Sequence, residues 1–225
     1  MRVLIAIFVI SWQVSGAQKT EVRSLDTFRA IRVTSGIEVK LIKGDRPSAR
    51  VEASGISLGE VITEVQGNTL KIGFRSIRLD GRNDVHVQVT YTDLDRITAL
   101  AAASVISNDV LEAEALELSA SAAASIEVEV KTRRLSADAT TASAIILSGT
   151  AGEVHMDATT SSTIDAYHLE TDNVSANAST ASDIRVTVRK EIKAEASTAG
   201  SIRYKGDPAR SNTAATTAGS IRKVN

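Results

Sequence analysis

The sequence has no cysteine, two prolines and three histidines in 225 residues. Without cysteine there are no disulfides, no thiolate metal sites and no lipoprotein attachment point. Aromatic residues make up 3% of the chain, so large pockets walled by aromatic rings are expected to be scarce. The formal charge is −1, which favours neither bulk nucleic-acid binding nor general attraction to membranes. No segment carries a convincing helical period, and residues 55–60 allow one short turn at most. No Gly-x-Ser-x-Gly elbow follows residue 17, and the histidines have no neighbouring cysteine. His155 and His168 are 13 residues apart and read as solvated surface side chains, as does His86.

What the chain does have is one phrase written repeatedly. It reads Ala-Ser-Ala-Ala-Ala-Ser-Ile at 120–126, Ala-Thr-Thr-Ala-Ser-Ala-Ile at 139–145 and Ala-Thr-Thr-Ser-Ser-Thr-Ile at 158–164. It returns at 178–184, 196–202 and 215–221, with a weaker copy at 99–105. The closing isoleucines are 19, 19, 20, 18 and 19 residues apart. A constant period near twenty is the mark of a stacked repeat. The unit is rich in Ser, Thr, Val and Ile, which favours extended chain. Alternation follows the isoleucines, as in 126–130 and 184–188, with one face in and one out.

A unit this short buries its apolar face only against copies of itself. The sequence therefore predicts an all-β fold, a single-stranded parallel β-solenoid with coils of about 19 residues. Its core ladders would be Ile126, Ile145, Ile164, Ile184, Ile202 and Ile221, beside Ala120, Ala139, Ala158, Ala178, Ala196 and Ala215. A β-sandwich of short similar strands is the alternative, but it does not require constant spacing.

Residues 1–17 have the parts of an export signal: Arg2, an apolar run at 3–10 and small residues at 15–17. The run is too short to span a bilayer. The remainder, 18–225, is expected to form one domain, with a looser β part at 25–96 and regular repeats at 97–221. In the looser part, 35–41 alternates as a strand, 43–45 reads as a turn and 50–53 as the returning strand. Residues 61–65 and 70–74, joined at 66–68, form a second hairpin. Residues 79–84 form a polar loop and 85–91 a clean strand, and 92–95 is the turn into the repeats.

The strand Ser35-Gly36-Ile37-Glu38-Val39, the turn Lys43-Gly44-Asp45, Leu70-Lys71-Ile72, Val85 to Tyr91 and the Ser-Ile repeats together resemble the head GIN domain family of adhesin-like proteins. The resemblance covers nearly all of the chain after residue 17. It implies a right-handed β-helix exported by a Gram-negative bacterium to the periplasm, the outer surface or the medium. It also implies a role in adhesion, and the lack of clustered pocket residues and of a metal motif leads to the expectation of a non-enzymatic protein without a cofactor. Where many relatives have glycines in the first repeat, this chain has Ala101-Ala102-Ala103, which bears on the local corner.

Two ladders of outward charge are the candidate ligand-binding residues. Asp138, Asp157, Asn177 and Glu195 each lie seven residues before their isoleucine. Stacked carboxylates could bind a hard cation or act on a sugar; the bland reading is a solvated face. Arg185, Arg203 and Arg222 each follow their isoleucine. Guanidinium forks suit phosphate or acidic glycans; again the bland reading is solvation. No catalytic or metal residue is assigned.

Charge is also uneven along the chain. Residues 109–172 hold 12 acids against 3 Lys or Arg, and 173–225 hold 4 against 9. The expected partner is a cell-surface glycan or protein, with weak self-association through the last coil; nucleic acid and membrane insertion are not expected. The alternatives are a polysaccharide lyase or hydrolase on a β-helix, and a structural or regulatory envelope protein.

Overall fold

The structure, a computed structural model, describes residues 19–76 and 84–225. The export signal at 1–17 and most of the polar loop at 79–84 lie outside the described residues. The strands are β1 (Lys19–Ser24), β2 (Ala30–Val33), β3 (Glu38–Lys43), β4 (Ser48–Ser54), β5 (Val61–Gln66), β6 (Thr69–Phe74), β7 (Asp84–Tyr91), β8 (Arg96–Leu100) and β9 (Ser104–Ser107). The regular coils follow as β10 (Leu111–Ser121), β11 (Ser125–Thr140), β12 (Ala144–Thr159), β13 (Thr163–Ser179), β14 (Asp183–Ala196), β15 (Ser201–Lys205), β16 (Arg210–Ala215) and β17 (Ser220–Lys223). A single 3-10 turn, Leu58–Glu60, is the only helical element among the described residues.

Equivalent residues of successive coils pair in parallel, which makes the chain a β-solenoid. The alanine ladder runs Val33, Ala99, Ala120, Ala139, Ala158, Ala178, Ala196, Ala215 without a register break. The isoleucine ladder runs Val39, Val105, Ile126, Ile145, Ile164, Ile184, Ile202, Ile221. Both ladders are buried as far as Ala196 and Ile202. In the last described coil Ala215 is exposed and Ile221 half-buried.

Between the two ladders the chain turns a corner on a pair of left-handed residues. Ala122 and Ala123 have φ of 56° and 61°, and Thr141 and Ala142 have 54° and 58°. Such residues cost about 1–2 kcal/mol each without glycine. The stack offsets this cost. The second corner residue donates its N–H to the first corner carbonyl of the next coil, as Ala142 does to Thr160 at 2.9 Å. The following side chain points inward. Ser143, Ser162 and Ser182 are buried there, and donate to the carbonyls of Ala120, Ala139 and Ala158 at 2.9, 2.7 and 2.7 Å.

The N-terminal end departs from simple sequence order. β2 and β3 form a coil that lies between the layer of β6 and β7 and the layer of β8 and β9. The expected hairpin between 35–41 and 50–53 does not pair. β7 occupies that edge of β3, because Val87 continues the inward ladder from Val39. β4 is displaced outward and pairs antiparallel with β7 and β1. The strand expected over 35–41 starts only at Glu38, because Ser35 and Gly36 take the left-handed corner at φ 68° and 69°. The second hairpin forms as expected, β5 against β6 across Gly67 at φ 62°.

Candidate binding faces

On the strand side before each corner, alternate residues face outward and stack into three columns. The middle column is Ser119, Asp138, Asp157, Asn177 and Glu195. Towards the corner lie Ser121, Thr140, Thr159 and Ser179. On the far side lie Ser136, His155, Ser175 and Lys193. Neighbouring rungs are about 4.8 Å apart. The four residues that the sequence placed on one ladder are therefore brought together in consecutive rungs.

Most of these groups hold one another. The Asn177 amide donates to Asp157 Oδ1 at 2.8 Å. His155 Nε2 meets Asp157 Oδ2 at 2.6 Å, and Lys193 meets Glu195 at 3.1 Å. Thr140 donates to the Ser121 hydroxyl at 2.9 Å. Asp138 has less support, with the Ser136 hydroxyl at 3.5 Å. Partial burial pushes its pKa above the usual aspartate value, and the Asp157 charge adds to the rise. Beside this face runs a groove of about 410 Å³ with Leu135, Val154 and Val174 along its floor and His155, Ser175 and Lys193 on one wall.

The arginine ladder lies past the corner, on a different face. Its column reads Glu127, Ile146, Asp165, Arg185, Arg203, Arg222. Like charges on adjacent rungs repel, and the structure resolves this with carboxylates of its own. Arg185 bonds Asp165 at 3.0 Å and Asp183 at 2.9 Å. Arg203 bonds Asp183 at 2.8 Å. Arg222 is exposed and has no ion partner among the described residues. Nearby, Lys205 sits 4.5 Å from the Tyr167 ring centre, a cation–π contact.

Two of these partners were overlooked in the sequence. Asp183 stands where the other copies have Ser, Ala or Thr, and that departure was the available signal. His155 and Asp157 are two apart on one strand, a spacing that puts them side by side. Among the described residues no group of three or more His, Asp or Glu is arranged to hold a metal. No helix among them is long and apolar enough to cross a membrane.

Residues 27–208 match the family model described as "Putative auto-transporter adhesin, head GIN domain". The fold is similar to a crystal structure of a "putative adhesin" from Bacteroides fragilis, with TM-score 0.86 and 18% identity over 93% of this chain and 98% of that one. A "putative adhesin" from Parabacteroides merdae gives 0.76 and 22% over 94% and 98%. A "Putative lipid binding protein" from Parabacteroides distasonis gives 0.72 and 18% over 94% and 98%. No curated protein matches the sequence.

Proposed function

Because the chain belongs to the head GIN domain family, we propose that it is an exported, non-enzymatic adhesion module whose acid and hydroxyl face recognises an extended ligand such as a glycan. The observation that carries this reading is the unbroken column Asp138, Asp157, Asn177, Glu195 beside the hydroxyls of Thr140, Thr159 and Ser179. Such a surface offers acceptors at every rung and donors at several, matched to a polymer of hydroxyls. Each contact is weak, and affinity comes from adding them along the axis. The composition of residues 1–17 supports export. The arginine column, on the face past the corner, is a separate secondary contact for acidic groups, centred on Arg222 because Arg185 and Arg203 are already engaged.

The raised pKa of Asp138 beside Asp157 favours a second reading, a polysaccharide-active enzyme with an acid–base pair. One experiment separates the two. The protein and its D138A/D157A variant are applied to an array of glycans of graded length, and bound polysaccharide is assayed for new reducing ends or unsaturated product. Adhesion predicts binding that strengthens with chain length, falls at least tenfold in the variant and releases no product. Equal binding by the variant, or no binding by either protein, rules out this face as the ligand site. Product formation lost in the variant establishes the enzyme instead.

A further inference from the structure

The coil of β13 is longer than its neighbours, with 20 residues from Ile164 to Ile184. The extra length emerges just past the isoleucine ladder. β11 and β12 pair through this stretch without a shift, but between β12 and β13 the register jumps from Ile146 and Asp165 to Ser148 and His168. Against β14 it jumps from Ala166 and Val186 to Glu170 and Thr187, so Tyr167, His168 and Leu169 have no partner on that strand. A bulge of this kind re-aims side chains. Leu169 is buried, His168 is exposed and Tyr167 is half-buried.

The bulge is held in one shape. The Tyr167 N–H donates to Asp165 Oδ1 at 3.3 Å, and the Thr187 hydroxyl donates to the Tyr167 carbonyl at 2.8 Å. Tyr167 meets Lys205 across β14, with Nζ 4.5 Å from the ring centre. Gly206 follows at φ 100°, where a Cβ would lie 2.1 Å from the Val188 carbonyl oxygen. The backbone behind the lysine is thus fixed as well. Phe28, Phe74, Tyr91 and Tyr204 belong to the core or pack against it, and Tyr167 is the described aromatic that does not. The charges of Arg203 and Arg185 reach its hydroxyl, which has no hydrogen-bond partner among the described residues. Those arginines are taken by Asp165 and Asp183. Lys205 is in no ion pair among the described residues, and its contact is the ring.

We propose that Tyr167 and Lys205 form a binding site for an acidic pyranose, a sugar ring that carries a carboxylate or a sulfate ester. The ammonium covers the face of the tyrosine ring, and its flexible stem lets it swing away. An anionic group on the sugar pairs with Nζ and draws it aside. The ring face so uncovered takes the apolar C–H face of the sugar, and the Tyr167 hydroxyl bonds a sugar hydroxyl. An ion pair and a stacked ring together replace one cation–π contact. A neutral sugar lacks the charge that moves the lysine, and a simple anion lacks the apolar face, so the pair selects for both. The site lies past the corner, apart from the Asp138 face, and takes no contact from Arg222. It and the adhesion face can therefore fail separately.

The probes are trigalacturonate with its neutral methyl ester, and a sulfated galactose trisaccharide with its unsulfated form. Calorimetric titration of the purified protein should show a charged sugar binding at least tenfold tighter than its neutral counterpart, and the pair that does so identifies the anion. K205M should erase that preference, and Y167A should weaken the charged sugar at least tenfold, both with unchanged circular dichroism. D138A/D157A and R222A should bind it as wild type does. In the wild-type protein the Lys205 side-chain methylene signals, shifted upfield in proton NMR by the Tyr167 ring, should return to ordinary positions at saturation. Equal binding within both pairs, binding by neither charged sugar, a preference that survives K205M or an affinity unchanged in Y167A overturns the proposal. So do Lys205 signals that stay under the ring at saturation. Affinity lost in D138A/D157A or R222A also overturns it, and puts the ligand on the faces already described.

Discussion

Asp138 lies beside the Asp157 charge on a half-buried strand, with one hydroxyl at the limit of hydrogen bonding. Burial, then Asp157, pushes its pKa up. The native state therefore binds this proton more tightly than the unfolded chain. The resulting stability is fully present below the ordinary aspartate value of 3.8 and is lost as pH rises through the raised native value. At neutral pH the ionised group is a burden that D138N removes. Thermal unfolding from pH 3 to 8 should show D138N melting above wild type at pH 7, with the gain vanishing in acid. Asp172 is the opposite case. A hydrogen bond from Lys190 lowers its pKa, so D172N should melt below wild type at pH 7 and converge with it as the pH falls. A D138N variant that melts lower than wild type at pH 7 refutes the assignment.

At the scale of the element, the corner shows how far local sequence reaches. The ladders were legible because spacing alone fixes which residues stack. The left-handed pairs were not, because Ala, Thr and Ser carry no preference for that conformation; stacking imposes it. The coil of β2 and β3 was missed for a related reason. Val33 and Val39 stand in for the alanine and isoleucine, six residues apart as in every repeat, so only the spacing survives. The pairing of β4 with β7 is set by competition for one edge and has no local signature. The charge columns could be read from spacing, as could His155 beside Asp157 two residues on, but the pairing of Asp183 with Arg203 depends on which rungs meet.

The same corner gives a test of opposite signs. Ala142→Gly relieves a left-handed alanine and gives back part of that gain in chain entropy, so it should stabilise by about 0.5–1 kcal/mol. Gly200→Ala sets a Cβ 2.2 Å from the Ala178 carbonyl oxygen and should destabilise by about 1–3 kcal/mol. Urea unfolding of both variants measures the pair. If Ala142→Gly destabilises and Gly200→Ala is neutral, the corner geometry is wrong.

At the scale of the whole molecule, the solenoid is a sum of near-identical rungs closed at one end by antiparallel strands. Stability should then be close to additive in coils, each touching only its neighbours. Deleting 144–162 removes one full period and joins Ser143 to Thr163, which restores the phrase as Ala-Thr-Thr-Ala-Ser-Thr-Ile. Every ladder stays in register across the junction, and the corner still falls over a corner. Deleting 144–153 alone sets strand against corner, places polar residues on the alanine and isoleucine ladders and leaves left-handed pairs without their stacked partners. The first variant should fold with a modestly lower melting temperature and, by small-angle scattering, a long dimension shorter by about 4.8 Å. The second should lose its β circular dichroism. Two variants that fold equally well, or a full-period deletion that abolishes folding, would mean that stability resides in particular coils and not in the repeat. The full-period variant also lacks Asp157 while retaining Asp138 and Asn177 on what become adjacent rungs. Its affinity for a long glycan should therefore fall by about one rung's share, less than in D138A/D157A, if the face binds by adding contacts along the axis.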